Sequence, residues 1–196
     1  MSLPVSRLAR IVLGAIAGLW ITAVVEIAAA GGLIHLPVML ALFSGPLLVV
    51  ALAALLFTRY RDVLMALPLP LLIGLNVFRL FGVWFLLLAA AGQLGGLFPY
   101  FAGIGDVVTG AFALPVAWLA ARYPLSDWRI VDWNLFGLLD LIVAVSLGVT
   151  SHSPVITTLP WALIPLALVP VFMIGHVVIG AHQLARREAA VRIGTT

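Results

Sequence analysis

Lysine and cysteine are both absent from this 196-residue sequence, and charged residues make up only 9% of it. Without cysteine there can be no disulfide, no cysteine-ligated iron–sulfur cluster, no thiol nucleophile and no lipidated cysteine anchor. Without lysine there is no Schiff base to retinal. A soluble domain carries about 25% charged residues, far more than this chain offers to cover a water-exposed surface. We therefore expect an integral membrane protein whose apolar surface faces lipid.

The basic residues are arginines, and all but one of them fall in four short stretches. Long apolar runs connect these stretches, and the turns midway between them carry no arginine. Clustered arginine at every second loop is the pattern of the positive-inside rule. It predicts an all-α integral membrane bundle of six transmembrane helices, in a single domain over residues 1–196, with the N and C termini cytoplasmic. The stretches contain Arg7 and Arg10, Arg59 and Arg61, Arg122 and Arg129, and Arg186, Arg187 and Arg192.

Proline helps to set the boundaries of the spans. Residues 63–92 are too many for one simple crossing, because a helix rises about 1.5 Å per residue and the bilayer core is about 30 Å thick. Pro68 and Pro70 disfavour helix at the residue before each, so the third span is expected to begin near Pro70, after an interfacial segment. The predicted spans are residues 11–31, 36–58, 70–92, 99–121, 130–149 and 160–184.

Two prolines inside the last predicted span should disturb its hydrogen bonds. Pro165 and Pro170 each remove a backbone donor, which frees the carbonyls of Trp161 and Leu166 four residues earlier. Membrane helices tolerate such defects where neighbouring groups satisfy the freed carbonyl. A kink that improves packing is favoured over a carbonyl-lined ion site.

Small and polar residues recur along one face of three predicted helices. In the first helix, Gly14, Gly18, Thr22 and Glu26 are spaced four residues apart, and Gly14-x-x-x-Gly18 is a pattern that lets helix backbones approach closely. We expect these faces to point into the bundle and the bulky faces to contact lipid. The residues expected to support helix packing are Gly14, Gly18, Gly103, Gly110, Gly137 and Ala144.

The tenth arginine, Arg79, lies inside the third predicted span. A charge at the bilayer centre costs about 2.5–3.5 kcal/mol, so Arg79 should have a carboxylate partner, Asp140 in first place and Asp106 in second. Together with Glu26, the intramembrane carboxylates outnumber this arginine, so all of them are not expected to be ionised. A carboxyl group held near neutrality can load and release protons, as in transporter relays. Helical rise predicts that these groups lie at a series of depths rather than in one ring.

These polar residues can serve a ligand or can simply fix helix packing. Buried polar groups between membrane helices contribute about 0.6 kcal/mol each on average. Packing is favoured for Thr22, Asn76, Thr109 and Asn134, whereas the burial cost of Arg79, Asp106 and Asp140 exceeds what packing returns. Glu26 is shallow enough to reach headgroups or water, and the two interpretations are balanced there. The candidates for binding a ligand or proton are Arg79, Asp106, Asp140, Glu26, Asn134 and His176.

No metal site and no cofactor are predicted. His176 and His182 are six residues apart and lie about 120° off a common helix face. Phosphate-binding loops, nucleophile elbows, zinc motifs and paired haem histidines have no match in the sequence. Enzymatic activity is therefore uncertain, with the balance against it. The basic residues lie at predicted membrane edges, where they suit anionic lipid headgroups rather than nucleic acid.

Several short motifs together resemble a known group of sequences. They are Arg79-x-x-Gly82, Gly103-x-Gly-Asp106, Asn134-x-x-Gly137-x-x-Asp140 and a proline-rich last helix with His176. The run looks like a group of uncharacterised small bacterial inner-membrane proteins that have no functional name. The resemblance covers about residues 70–184 and implies a six-helix protein of the bacterial inner membrane. It implies no activity and no site residues.

Two functions stay open from the sequence. One is a polytopic membrane protein that binds or transports a small solute or proton through the buried arginine and aspartates, as a homodimer. The other is an accessory or assembly subunit of a larger membrane complex, with no activity of its own. An intramembrane enzyme or a quinone-binding redox subunit is disfavoured because the expected motifs are missing.

Overall fold

A computed structural model describes residues 5–31, 33, 35–123, 128–151 and 154–194 of the chain. Within these ranges the protein is helical and has no β-strand. Five helical stretches in this part of the chain are long and apolar enough to cross a membrane. They are Leu36–Leu56, Leu69–Ala90, Phe98–Arg122, Trp128–Ser151 and Ile164–Glu188.

The helices are numbered in chain order and belong to two compact units. The first unit comprises residues 1–67 and 153–174, and the second comprises residues 68–152 and 175–196. A 3₁₀ helix over Leu75–Gly82 joins α4 to α5, another 3₁₀ helix covers Pro154–Thr157, and a π-helical turn over Ile164–Leu168 leads into α8. The α-helices are α1 Val5–Ala29, α2 Leu36–Leu56, α3 Thr58–Met65, α4 Leu69–Gly74, α5 Val83–Ala90, α6 Phe98–Arg122, α7 Trp128–Ser151 and α8 Val169–Gly194.

Most predicted spans correspond closely to observed helices. Helices α2, α6 and α7 match the predicted spans within two residues at each end. Helix α1 is 25 residues long, but its described apolar part, Gly14–Ala29, is shorter than a full crossing. The first of the six spans therefore stays a prediction.

The helical stretch that corresponds to the last predicted span is displaced along the chain, to Ile164–Glu188. Residues 158–162 form turns, and helix begins only at the π-helical segment Ile164–Leu168. At the other end the helix continues past Leu184 to Gly194. The residues after Leu184 are rich in alanine, arginine and glutamate, which favour helix whether or not they lie in a membrane.

The first unit has its own apolar core, formed by Val24, Leu33, Leu42, Ala162 and Leu166. Pro170 cannot donate a hydrogen bond to the Leu166 carbonyl, and the indole N–H of Trp20 donates to it instead at 3.1 Å. The backbone N–H of Ile164 similarly donates to the carbonyl of Trp161 at 3.1 Å. Both carbonyls predicted to be freed by proline thus have donors, and the indole of Trp20 provides one of them.

The prediction that the small and polar face of α1 points into the bundle was wrong. Gly14, Gly18, Thr22 and Glu26 are all exposed, and a Cβ atom added at either glycine would have no atom within 4 Å. Val24 of this helix is buried, and it packs in the first unit's core with Trp20 and other apolar side chains. Bulky apolar side chains fill more of that core than glycines can, which favours burying the opposite face.

The second unit is organised along α6. This helix contacts α4, the Leu75–Gly82 segment, α5 and α7. An apolar cluster joins α4, α6 and α7 at one end of the unit, and it includes Ile179 of α8. Its buried members are Leu69, Ile73, Ala113, Val116, Ala120, Ile130, Trp133 and Ile179.

The sequence predicted one continuous α-helix for the third span, and the structure instead has a 3₁₀ helix in the middle of it. It begins at Leu69, with proline in its first turn as expected, but Leu75–Gly82 is a 3₁₀ helix. A 3₁₀ helix has 3.0 residues per turn, so side chains three apart are aligned. Asn76, Arg79 and Gly82 therefore share one face, and they are the buried residues of the segment. The amide of Asn76 anchors the start of this face by donating to the carbonyl of Leu72 at 3.0 Å.

Candidate functional site

Arg79 is the largest fully buried side chain among the described residues, at 1% exposure. Its Nε donates to Asp106 Oδ1 at 2.7 Å, and one terminal nitrogen donates to Asp140 Oδ2. The other terminal nitrogen donates to the Gly137 carbonyl at 3.0 Å and lies 3.2 Å from His176 Nε2. Four of the five N–H bonds of the guanidinium are therefore used within the protein.

The two aspartates reach Arg79 from neighbouring helices, Asp106 from α6 and Asp140 from α7. Their side chains are 9% and 10% exposed, while that of Arg79 is 0% exposed. The sequence predicted one partner, Asp140 before Asp106, whereas the structure pairs Arg79 with both. Two carboxylates on one guanidinium satisfy the arginine and leave an excess of negative charge.

His176 and Asn134 hold each other by a reciprocal pair of hydrogen bonds. The Asn134 amide nitrogen donates to the backbone carbonyl of His176 at 3.1 Å. The Asn134 amide oxygen lies 2.8 Å from His176 Nδ1. A guanidinium can only donate, so Nε2 of His176 must accept from Arg79, and Nδ1 must carry the proton and donate to Asn134. The contacts therefore assign a neutral His176 with a fixed tautomer.

We call the cluster of Arg79, Asp106, Asn134, Asp140 and His176 the Arg79 centre. It contains all the candidate binding residues predicted from the sequence except Glu26, which is exposed and belongs to the first unit. The expected series of depths was wrong, because these five residues form one cluster. The depth estimate counted backbone rise alone, whereas the side chains of Arg79 and the two aspartates extend toward one another from their helices.

Three glycines allow the helices to close around the Arg79 centre. A Cβ at Gly82 would lie 2.7 Å from Asp106 Oδ2, and a Cβ at Gly105 would overlap the carboxylate of Asp140. A Cβ at Gly137 would lie 2.8 Å from His176 Nε2. Side chains at these positions would displace the groups that contact Arg79. The glycines are thus part of how the site is formed.

Some of the predicted packing residues act close to this cluster. A Cβ at Gly103 would lie 2.6 Å from Leu86 Cγ, and one at Gly110 would lie 2.8 Å from the backbone nitrogen of Leu80. Ala144 is buried, at 8% exposure. Gly14 and Gly18, in contrast, are exposed and contact no other helix closely.

Trp133 and Thr109 form one wall of the site. Trp133 is buried, and its ring centroid lies 5.4 Å from that of His176. Its indole N–H donates to the backbone carbonyl of Thr109 at 3.1 Å. The Thr109 hydroxyl is fully buried and has no hydrogen-bond partner among the described residues. The Trp133 ring is thus the part of this wall that faces His176, and the Thr109 hydroxyl is a buried polar group without a described partner.

Sequence reasoning missed Gly105 and the role of Trp133. Gly105 precedes Asp106, and only the packing of α6 on α7 shows that it faces the Asp140 carboxylate. The aligned spacing of Asn76, Arg79 and Gly82 is a signal that was available, since residues three apart share a face in a 3₁₀ helix. This spacing does not by itself indicate a 3₁₀ helix, because an apolar run of this length favours an α-helix.

Residues 36–181 match a described family, a domain of unknown function (DUF8737). The chain belongs to this family. The DUF8737 domain begins at the first residue of α2 and ends within α8, so it includes every residue of the Arg79 centre. The resemblance noted from the sequence began only near residue 70. No curated protein and no solved structure matches the chain.

Proposed function

We propose that this protein binds or transports a small solute or proton through the Arg79 centre. In this proposal it is a multi-pass protein of a bacterial inner membrane, with six spans and both termini cytoplasmic. The observation that carries the proposal is a fully buried arginine held by two aspartates from different helices. Burying three ionisable groups is costly in a membrane protein, and such groups commonly mark substrate or proton pathways.

The contacts around Arg79 support a binding role over packing alone. A single buried ion pair would be enough to neutralise one arginine. A second carboxylate adds charge and a desolvation penalty of several kcal/mol without being needed for that purpose. Packing contacts between membrane helices contribute only about 0.6 kcal/mol on average, which does not offset such a penalty.

Proton flux into proteoliposomes tests this function. The purified protein is reconstituted with a pH-sensitive dye inside the vesicles, and a pH gradient is applied. We expect the gradient to collapse faster than in empty vesicles, and Asp106→Asn and Asp140→Asn to abolish the difference. Asp132→Asn is the matched control, because Asp132 lies on α7 but is exposed. Equal rates in the wild type and both centre variants would rule out proton transport through the Arg79 centre.

A second candidate function is an accessory or assembly subunit of a larger membrane complex. The exposed Gly14 and Gly18 on α1 favour it, because a glycine face with open space beside it suits a partner helix. This function predicts comigration with partner chains on native gels, and its loss in Gly14→Leu and Gly18→Leu. Flux that depends on Asp106 and Asp140 would instead support the first function.

A further inference from the structure

We propose that the ligand of the Arg79 centre is a single proton shared between Asp106 and Asp140. This inference rests on the proposed function, because it takes the centre to be the binding site and names what binds there.

The charge count leaves the centre one proton short of neutrality. Four titratable or charged groups meet there, one from each packed element: Arg79 from the 3₁₀ helix, Asp106 from α6, Asp140 from α7 and His176 from α8. Arginine stays protonated in proteins, and His176 is neutral because its Nε2 accepts from Arg79. Two ionised aspartates would therefore give the centre a net charge of minus one. One added proton makes it neutral.

The hydrogen bonds of Arg79 disfavour an anionic ligand. The guanidinium already donates to Asp106, Asp140, the Gly137 carbonyl and His176. An anion would find one unused N–H on Arg79 and could gain a second only by displacing one of the protein's own acceptors. It would also add negative charge to a centre that already has too much of it.

The surroundings of the carboxylates exclude a metal cation. The second oxygen of Asp106 packs against the Gly82 backbone, and the Asp140 carboxylate packs against Gly105. Calcium takes six to eight oxygen ligands and magnesium requires an octahedral set. Among the described residues, no group of three or more histidine, cysteine or acidic side chains could hold a metal ion. A proton is the cation that fits, because it needs only one oxygen and almost no space.

The two carboxylates are comparable as sites for this proton. Their side chains are 9% and 10% exposed, and Arg79 donates to both. Either aspartate can therefore hold the proton, which leaves the other ionised beside Arg79.

Infrared difference spectroscopy on the purified protein counts protonated carboxyl groups directly. Spectra are compared between alkaline buffer and about pH 5.5, which is still above about 4, where exposed aspartate and glutamate titrate. We expect the wild type to gain the carbonyl band of one protonated carboxyl group. Asp106→Asn and Asp140→Asn should gain none, because one arginine and one carboxylate balance. Arg79→Met should gain two. Asp132→Asn, outside the centre, should match the wild type.

A second set of spectra tests whether sodium competes with the proton for the site. The band should be the same in sodium chloride and in choline chloride, since the site does not accept a metal cation. Suppression of the band by sodium would overturn the proposal in favour of a metal-cation site. If Arg79→Met does not fold, the two aspartate variants still show whether the titrating carboxyl group belongs to the Arg79 centre. A wild-type band that survives in both of them would also overturn it.

The infrared count and the flux measurement separate the two proposals. Proton flux that requires Asp106 and Asp140 without any titrating carboxyl band would overturn the single bound proton and leave proton transport standing. A single titrating band without flux would overturn transport and support the proton site.

Discussion

At the scale of single residues, Arg79 determines the chemistry of the second unit. Its need for a buried partner was predictable from charge alone, because an unpaired arginine inside a membrane span is costly. Its contacts with Gly137 and His176 were not predictable, because they depend on how α7 and α8 pack beside the 3₁₀ helix. Hydrogen bonds between residues 58 and 97 positions apart leave no local trace in a sequence.

Replacing His176 with leucine tests the tautomer assigned here. Leucine keeps much of the volume but cannot accept from Arg79 or donate to Asn134. A buried group left without a partner costs about 1–3 kcal/mol, and this change leaves two such groups. We expect the free energy of unfolding to fall by at least about 1–3 kcal/mol, measured by titrating the detergent-solubilised protein with a denaturing detergent.

The control for this variant is His35→Leu, because His35 is exposed and its side chain makes no capping hydrogen bond. It should change the free energy of unfolding by no more than about 0.5 kcal/mol. Equal stability of the two variants would show that His176 does not carry the hydrogen bonds described.

At the scale of elements, the helix boundaries followed from the sequence better than the helix type. Apolar length and a first-turn proline located α6 and the start of the third span. The change to 3₁₀ geometry at Leu75 was not predicted, because no proline marks it. Two residues of this aligned face, Arg79 and Gly82, lie against Asp106 of α6. Such contacts between distant parts of the chain are not visible in local propensity.

Two alanine substitutions in α4 test which face of the third span is packed. Ile73 is 0% exposed and belongs to the apolar cluster of the second unit, whereas Leu71 is 50% exposed. Ile73→Ala should lower the free energy of unfolding by about 2–5 kcal/mol, because it leaves a cavity. Leu71→Ala should have little effect, since lipid or detergent solvates leucine and alanine alike. Similar losses in both variants would contradict the assigned face.

At the scale of the whole molecule, the apolar helices indicate which segments can cross a membrane, and the arginine pattern predicts their orientation in it. Five described helices are long and apolar enough to cross a membrane, which agrees with the low charge of the chain. The arginine stretches predict orientation, which helix length does not address. Six spans with cytoplasmic termini therefore require a measurement of sidedness, and the absence of cysteine makes that measurement direct.

Single cysteines introduced into a cysteine-free chain report which side of the membrane each loop faces. The arginine pattern predicts that Gln93→Cys and Thr158→Cys react with a membrane-impermeant maleimide in intact cells. Thr58→Cys and Glu188→Cys should react only after the membrane is permeabilised. All four positions are exposed, so a failure to react reports sidedness rather than burial. Labelling of Thr58→Cys in intact cells would invert the proposed orientation.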